Sequence, residues 1–187
     1  MTTMKALALV TAAALAASAC VSGRTGPAAP SLSWVVQASG TTASLRGLSA
    51  VDDRTAWASG SNGTVLRTLD GGATWTILSV PGAAATDFRD VEAFGPDDAV
   101  VMGIDRPATI FRTTDGGKTW SRTFADDSPG IFLDGLAFVD EKNGWAVGDP
   151  MDGRFLIIST TDGGATWEPL PAASRPAALE GEAAFAA

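Results

Sequence analysis

From Leu45 to Leu170 the apolar residues fall in short runs punctuated by Gly, Asp, Asn and Ser, without the three- and four-residue recurrence of an amphipathic helix. Aligning the chain on itself shows a repeat. Leu45 to Val51 (LRGLSAV), Phe88 to Phe94 (FRDVEAF) and Phe132 to Phe138 (FLDGLAF) share one pattern and begin 43 and 44 residues apart, and Leu179 to Phe185 (LEGEAAF) starts a fourth copy. After each of the first three comes a turn rich in Asp or Asn, then WASG (Trp57 to Gly60), VVMG (Val100 to Gly103) or WAVG (Trp145 to Gly148). A third apolar run (Val65-Leu66, Ile110-Phe111, Phe155 to Ile158) leads into T-x-D-G-G-x-T-W, and a fourth starts at Trp75, Trp120 or Trp167. Four short strands per unit of about 40 to 45 residues is the pattern of a propeller blade, and helix-pair solenoids are excluded.

The eight-residue motif itself predicts a tight hairpin. Gly accepts positive φ, and the Asp oxygens accept hydrogen bonds from nearby amides. The Trp that follows is expected to bury a large apolar surface between neighbouring sheets while its indole N–H seeks a carbonyl. On this reading Asp70, Gly72 and Trp75, then Asp115, Gly117 and Trp120, then Asp162, Gly164 and Trp167, are structural.

These three stretches resemble the Asp-box, or BNR repeat, of sialidase-like propellers. Together with first strands such as FRDV, then WAVG, then TTDGGxTW, they make the chain similar to BNR proteins related to the photosystem II stability and assembly factor. The resemblance covers roughly Ser31 to Ala187. It implies an all-β fold, a β-propeller of four-stranded blades, and an exported or lumenal scaffold that binds other proteins. It also implies boxes remote from any catalytic centre and a closed ring whose parent is monomeric. A ring of six or seven such blades needs about 300 residues, so the chain is expected to be an incomplete propeller, an N-terminal piece of a longer protein. It would hold three full blades, an N-terminal outer strand around Trp34, and a C-terminal first strand from Leu179. Ser33-Trp34-Val35-Val36 aligns with Thr74-Trp75-Thr76-Ile77 on this basis. Such an open arc predicts exposed blade faces and association.

The family's Arg-rich patch is matched in part. Arg46 and Arg89 take the second position of their first strands, whereas the third and fourth copies there have Leu133 and Glu180. Because first strands line a propeller's channel, Arg46, Arg89, Asp90, Asp134 and Glu180 are candidates for a polar, ligand-binding channel mouth. Arg67 and Arg112, one residue before the box, read as solvent-facing.

Charge and composition narrow the chemistry. The 187 residues carry a net charge of −8 and a pI near 4.4, without a basic run, which disfavours nucleic acid. The chain has no His, no Tyr and one Cys, which removes His- or Cys-based triads and thiol or imidazole metal cages. No cofactor or metal is expected. Asp149 and Asp152 lie in a loop offering too few oxygens for calcium, so an insertion lengthening the third blade explains it better. The rival function is a glycoside hydrolase with its active site in absent blades. The sialidase Tyr and F/Y-R-I-P motif are missing, and Asp90 with Asp134, read as equivalent positions in neighbouring blades, is the best available carboxylate pair.

The N-terminus reads as an address. Lys5 precedes an apolar segment, Ala6 to Ala17, too short to span a bilayer, and Ala17-Ser18-Ala19 leads directly into Cys20. Residues 1–19 therefore resemble a lipoprotein signal peptide and Cys20 a lipidation site, which would anchor the protein in the cell envelope outside the cytoplasm; A-S-A equally suits simple secretion. Residues 20–30 then form a flexible Gly- and Pro-rich tether, and residues 31–187 the partial propeller.

Overall fold

The computed structural model describes residues 33–104 and 106–184. The expected signal peptide, Cys20 and the tether lie outside the described residues. The chain divides into two units, Met1–Val35 and Val36–Ala187, and the strands all belong to the second. They are β1 (Leu45–Ala50), β2 (Ala56–Gly60), β3 (Thr64–Thr68), β4 (Thr76–Ser79), β5 (Phe88–Ala93), β6 (Ala99–Gly103), β7 (Ala108–Thr113), β8 (Ser121–Asp126), β9 (Leu133–Phe138), β10 (Gly144–Met151), β11 (Arg154–Thr160) and β12 (Glu168–Pro169). Consecutive fours pair antiparallel, giving sheets β1-β2-β3-β4, β5-β6-β7-β8 and β9-β10-β11-β12. Among the described residues there is no α-helix, and the three sheets form an unclosed, incomplete propeller of four-stranded blades.

Local chemistry sets the hairpins. Between β2 and β3 stand Asn62 and Gly63, with φ of 59° and 64°; between β10 and β11 stand Asp152 and Gly153, at 55° and 74°. Two left-handed residues in succession match the right-handed twist of the flanking strands. The extra residues of the third repeat therefore build a longer hairpin, with β10 of 8 residues and β11 of 7.

Strand pairing revises one alignment. Leu45 pairs with Gly60, Phe88 with Gly103 and Leu133 with Gly148, each beside a one-residue irregularity in the first strand. The backbone bonds Ser61 N–H to Ser44 O, Ile104 N–H to Asp87 O and Asp149 N–H to Phe132 O repeat the same register. Asp134 is thus the counterpart of Arg46 and Arg89, and Gly135 that of Asp90. The bulge leaves an extra residue beside the ladder, and the F-L-D-G-L-A-F run accepts a one-residue slip without losing its apolar spacing.

Two apolar seams join the sheets. Trp57, Val65, Phe88, Val91, Ala99, Val101 and Phe111 form the first, between sheets one and two. Val100, Met102 and Ile110 meet Leu133, Leu136, Ala146, Ile158 and Trp167 in the second. Trp120, of the second box, packs edge-on against Trp57 with ring centroids 6.4 Å apart. The Trp57 indole N–H donates to Gly95 O at 3.0 Å. Trp167 meets Phe138 at 5.9 Å, and Phe138 meets Phe94 at 4.9 Å. Contrary to expectation, Trp120 Nε1 and Trp167 Nε1 find no carbonyl among the described residues. Ring packing, not a polar anchor, holds these two box tryptophans.

The outward faces of the arc are only partly covered. At the position where Val91 is 1% and Leu136 6% exposed, Leu48 of the first sheet is 70% exposed. Trp145 is 40% exposed, whereas Trp57, at the same register, is 0%. A cavity of about 320 Å³ opens on the face of the first sheet, lined by Leu45, Leu48, Ala58, Leu66 and Trp75 among others. The side chain of Gln37, which aligns with Leu78, lies over Gly72 as Leu78 lies over Gly117. Its amide oxygen accepts the Trp75 indole N–H at 3.0 Å.

Among the described residues neither flanking segment is in a strand. Ser33 to Val36 are outside any strand and Trp34 is fully exposed; Leu179 to Glu182 make a turn in which Glu182 Oε2 accepts the Leu179 N–H at 2.6 Å. A lone edge segment has no ladder to join.

Truncating Trp57 to Ala is expected to destabilise the chain by about 3–5 kcal/mol, as for other buried tryptophans. Trp145→Ala should cost well under half as much. Urea unfolding of both variants checks the contrast.

Candidate functional site

Each box closes on itself through its aspartate. Asp70 Oδ1 accepts from Thr68 Oγ1 (2.8 Å) and Thr74 N (2.8 Å), while Asp70 Oδ2 accepts from Thr74 Oγ1 (2.7 Å). Thr68 Oγ1 in turn accepts the Gly72 N–H at 2.8 Å, an approach that needs the positive φ of 83° at Gly72. Asp115 and Asp162 repeat these bonds to within about 0.1 Å. The first box glycines, Gly71, Gly116 and Gly163, donate to Arg54 O, Asp97 O and Lys142 O, each at 2.9 Å. The box therefore ties the β3–β4 hairpin to the β1–β2 turn of its own sheet. The threonine hydroxyl, then the threonine N–H, lower the pKa of all three aspartates to about 2. Both oxygens of each box aspartate are thus engaged in holding its own turn.

The polar cluster lies at the other end of the sheets. Arg46, Arg89 and Asp134 sit at the start of first strands, beside the β2–β3 type turns, whereas the boxes lie at the opposite end of each ladder. First strands meet one another across the seams, which brings these groups together. Arg46 Nη1 pairs with Asp87 Oδ2 at 3.1 Å, and Arg89 Nη2 with Asp134 Oδ1 at 3.3 Å. Arg89 also lies over the Phe132 ring, 5.6 Å from its centroid. The Asp134 side chain is only 2% exposed. Burial, then the Asp149 charge, raise its pKa against the opposing pull of Arg89.

Asp90 plays a different part from Asp134. Its Oδ1 accepts the Val91 N–H at 2.9 Å, and its Oδ2 accepts the Leu136 N–H at 2.8 Å across the seam. Burial raises its pKa, with those two bonds opposing. The two carboxyls are not equivalent positions in neighbouring sheets, and each is engaged in holding the seam. Glu180 stands apart, exposed in the turn after the last sheet and not on an inner strand.

Arg67 and Arg112 were expected to face solvent, and the structure places them at the seams instead. Arg67 Nη1 donates to Pro96 O at 2.6 Å and its guanidinium lies 5.4 Å from the Trp57 ring centroid. Arg112 Nη2 donates to Asp98 Oδ2 at 2.8 Å and packs beside Gly163 of the third box. The position looks polar in sequence, yet a long side chain reaches over the rim of the next sheet with its stem covered. The recurrence of Arg immediately before two boxes was the available signal. Among the described residues no group of three His, Cys, Asp or Glu side chains is placed to hold a metal ion.

The box aspartates carry a pH signature. Their pKa of about 2 in the folded state lies below the ordinary 3.8, so they stabilise the fold above about pH 4 and that contribution is lost as pH falls through about 2. NMR titration of the carboxyl carbons should give three midpoints near 2, and Asp115→Ala should lower Tm at neutral pH. At the inner strands, Arg89→Ala should cost about 1–3 kcal/mol at neutral pH by leaving Asp134 unpaired, and less in acid, as denaturant titrations at both pH values would show.

Comparison with known proteins accords with this geometry. A comparison with curated protein sequences gives no match. Among solved structures, YCF48 bound to D1 peptide is 25% identical, with a TM-score of 0.57 over 78% of this chain and 47% of that one. YCF48 from Cyanidioschyzon merolae is 28% identical, with a TM-score of 0.54 over 71% of this chain and 41% of that one. The chain thus spans less than half the length of either relative. The model of the family described as photosynthesis system II assembly factor YCF48 matches residues 27–132, more than half of the 187 residues. This three-sheet, Asp-box chain belongs to the YCF48 family of BNR propellers.

Proposed function

We propose that this chain is a non-catalytic protein-binding module that works outside the cytoplasm, held at the cell envelope by a lipid on Cys20, and that its partner is a segment of another protein. The observation that carries the reading is family membership combined with the inner-strand cluster, in which the carboxyls hold the seam and Arg46 remains 41% exposed. A half-exposed guanidinium offers a planar donor array for a peptide carboxylate or carbonyl. A relative of this chain, a YCF48, has been solved with a D1 peptide, which supports a protein segment as the ligand class.

The same cluster speaks against Asp90 and Asp134 as a glycoside-hydrolysing pair. That reaction needs one carboxyl free to donate a proton and another free to attack or activate water. Asp90 spends both oxygens on backbone N–H groups, and Asp134 is buried against Arg89. The acidic surface and the lack of a basic run also weigh against nucleic acid as the partner.

An array of overlapping peptides from envelope proteins, with the D1 peptide included, tests the reading. Retention that is lost in Arg46→Glu is the expected result. No retained peptide, together with turnover of a chromogenic glycoside panel, would replace it with the hydrolase reading. Palmitate labelling that disappears in Cys20→Ala is expected for the anchor, and equal labelling of both proteins would remove it.

A further inference from the structure

The linker from β4 to β5 packs on the first seam through Val80 and Ala83, and the linker from β8 to β9 packs on the second through Ile131. Strand register fixes which residues correspond. Thr109 pairs with Gly103 as Leu156 pairs with Gly148, and Arg122 lies opposite Phe111 as Pro169 lies opposite Ile158. Thr86 and Ile131 each stand one residue before the carbonyl, of Asp87 or Phe132, that accepts the Ile104 or Asp149 N–H. In the second seam all three places are apolar, with Ile131 and Leu156 buried in its core. In the first they are Thr86, Thr109 and Arg122, and there a cavity of about 360 Å³ lies between the linker and the second sheet. Arg106 and Pro107 from the β6–β7 connection, with Phe111, add to its wall. The repeat seals this place with hydrocarbon once and leaves it polar and open once.

We propose that this cavity binds a small molecule through an oxyanion group, carboxylate or phosphate, held by the Arg106 and Arg122 guanidinia and the Thr86 and Thr109 hydroxyls, with Phe111 and Pro107 against its apolar part. Thr109 is 5% exposed, and its Oγ1 has no hydrogen-bond partner among the described residues. A buried hydroxyl left in that condition is costly, and a valine of the same shape would avoid the cost. Thr86 and Thr109 converge over Gly103, where a Cβ would meet both. Arg46, Arg67, Arg89 and Arg112 each face a carboxylate, whereas Arg106 and Arg122 have no ion pair among the described residues. That holds in a chain with 21 acidic side chains to 13 basic ones. Arg106 Nη2 donates to Asp127 O at 3.0 Å, which steadies the guanidinium and leaves its other donors for a ligand. The neighbouring carboxyls are engaged elsewhere: Asp87 pairs with Arg46, and Asp126 Oδ1 accepts the Ser128 N–H at 2.8 Å. Two guanidinia with hydroxyls beside them suit the several oxygens of an oxyanion, and the cavity is of small-molecule size. The site goes beyond peptide binding at Arg46 and does not depend on it.

NMR titration of the isotope-labelled 187-residue chain with inorganic phosphate, and separately with acetate, each against chloride at matched ionic strength, tests the site. Saturable shifts centred on the backbone amides of Thr86, Arg106, Thr109 and Arg122 and on the two arginine Nε signals are expected with at least one of the anions. The anion that saturates at the lower concentration identifies phosphate or carboxylate as the group. Arg122→Ile places there the residue type that the first sheet carries at this register, Ile77; it should weaken binding at least about tenfold, and Thr109→Val should weaken it to a smaller but measurable extent. Shifts that fail to saturate, shifts spread equally over other arginines such as Arg54 and Arg154, or an affinity that either variant leaves unchanged overturns the proposal. If a variant fails to fold, the location and saturation of the shifts in the unmodified chain decide the matter.

Discussion

Mutual burial between sheets is the constraint on which everything else rests. A four-stranded blade carries apolar side chains on both faces, and none of the three can cover both by itself. Phe88, Val91 and Leu136 are buried because another sheet lies over them, whereas Leu48, at the same register with no sheet before it, is open. Stability here is a property of seams, and each seam repeats one device: an apolar residue on the second strand of one sheet meets the box hairpin of the next. The Asp-box keeps that hairpin in one shape, so that Trp120 or Trp167 arrives where the preceding sheet needs it.

Polar groups are arranged by the same logic. Arg67 straps the rim of the first sheet to the turn of the next, and Arg112, bonded to Asp98 of its own sheet, packs beside the box of the third. At the inner strands, Asp90 ties its own strand to Leu136 of the third sheet. The charges that a sequence would suggest for chemistry thus serve mostly to fix sheets at a set spacing, and Arg46 is the member of the inner cluster with most surface left over. The proposed role as a binding module asks for a rigid rim, which these straps supply.

Fold and site were legible to different degrees, for physical reasons. Sheets, strand order and turns follow from local chemistry: Gly at positive φ, Asp bonding its own turn, apolar runs of strand length. All of that is written within a few residues of where it acts. The inner-strand register was not. A bulge in each first strand adds one residue beside the ladder, and Phe132-Leu133 offers two apolar residues in succession, so Asp134 could be matched with Asp90 when pairing with Gly148 matches it with Arg89. Arg67 and Arg112 failed for a related reason, since a single strand's alternation says nothing about what the adjoining sheet brings to cover a side chain. Among the described residues the flanking segments carry strand-like sequence yet lie outside the sheets, because a strand is defined by its neighbour and not by its own residues.

The dependence of each sheet on the next has a consequence for how the chain is made. Synthesis runs from the N-terminus, so the first sheet emerges with Gln37 already laid over Gly72 and Trp75, one side partly shielded and the other open. Each later sheet closes its predecessor and presents a fresh bare side of its own. At every stage of translation a growing chain of this design therefore shows a greasy frontier that advances by about 45 residues at a time. A holding factor that followed that frontier would need to recognise a single recurring surface, whatever the number of repeats.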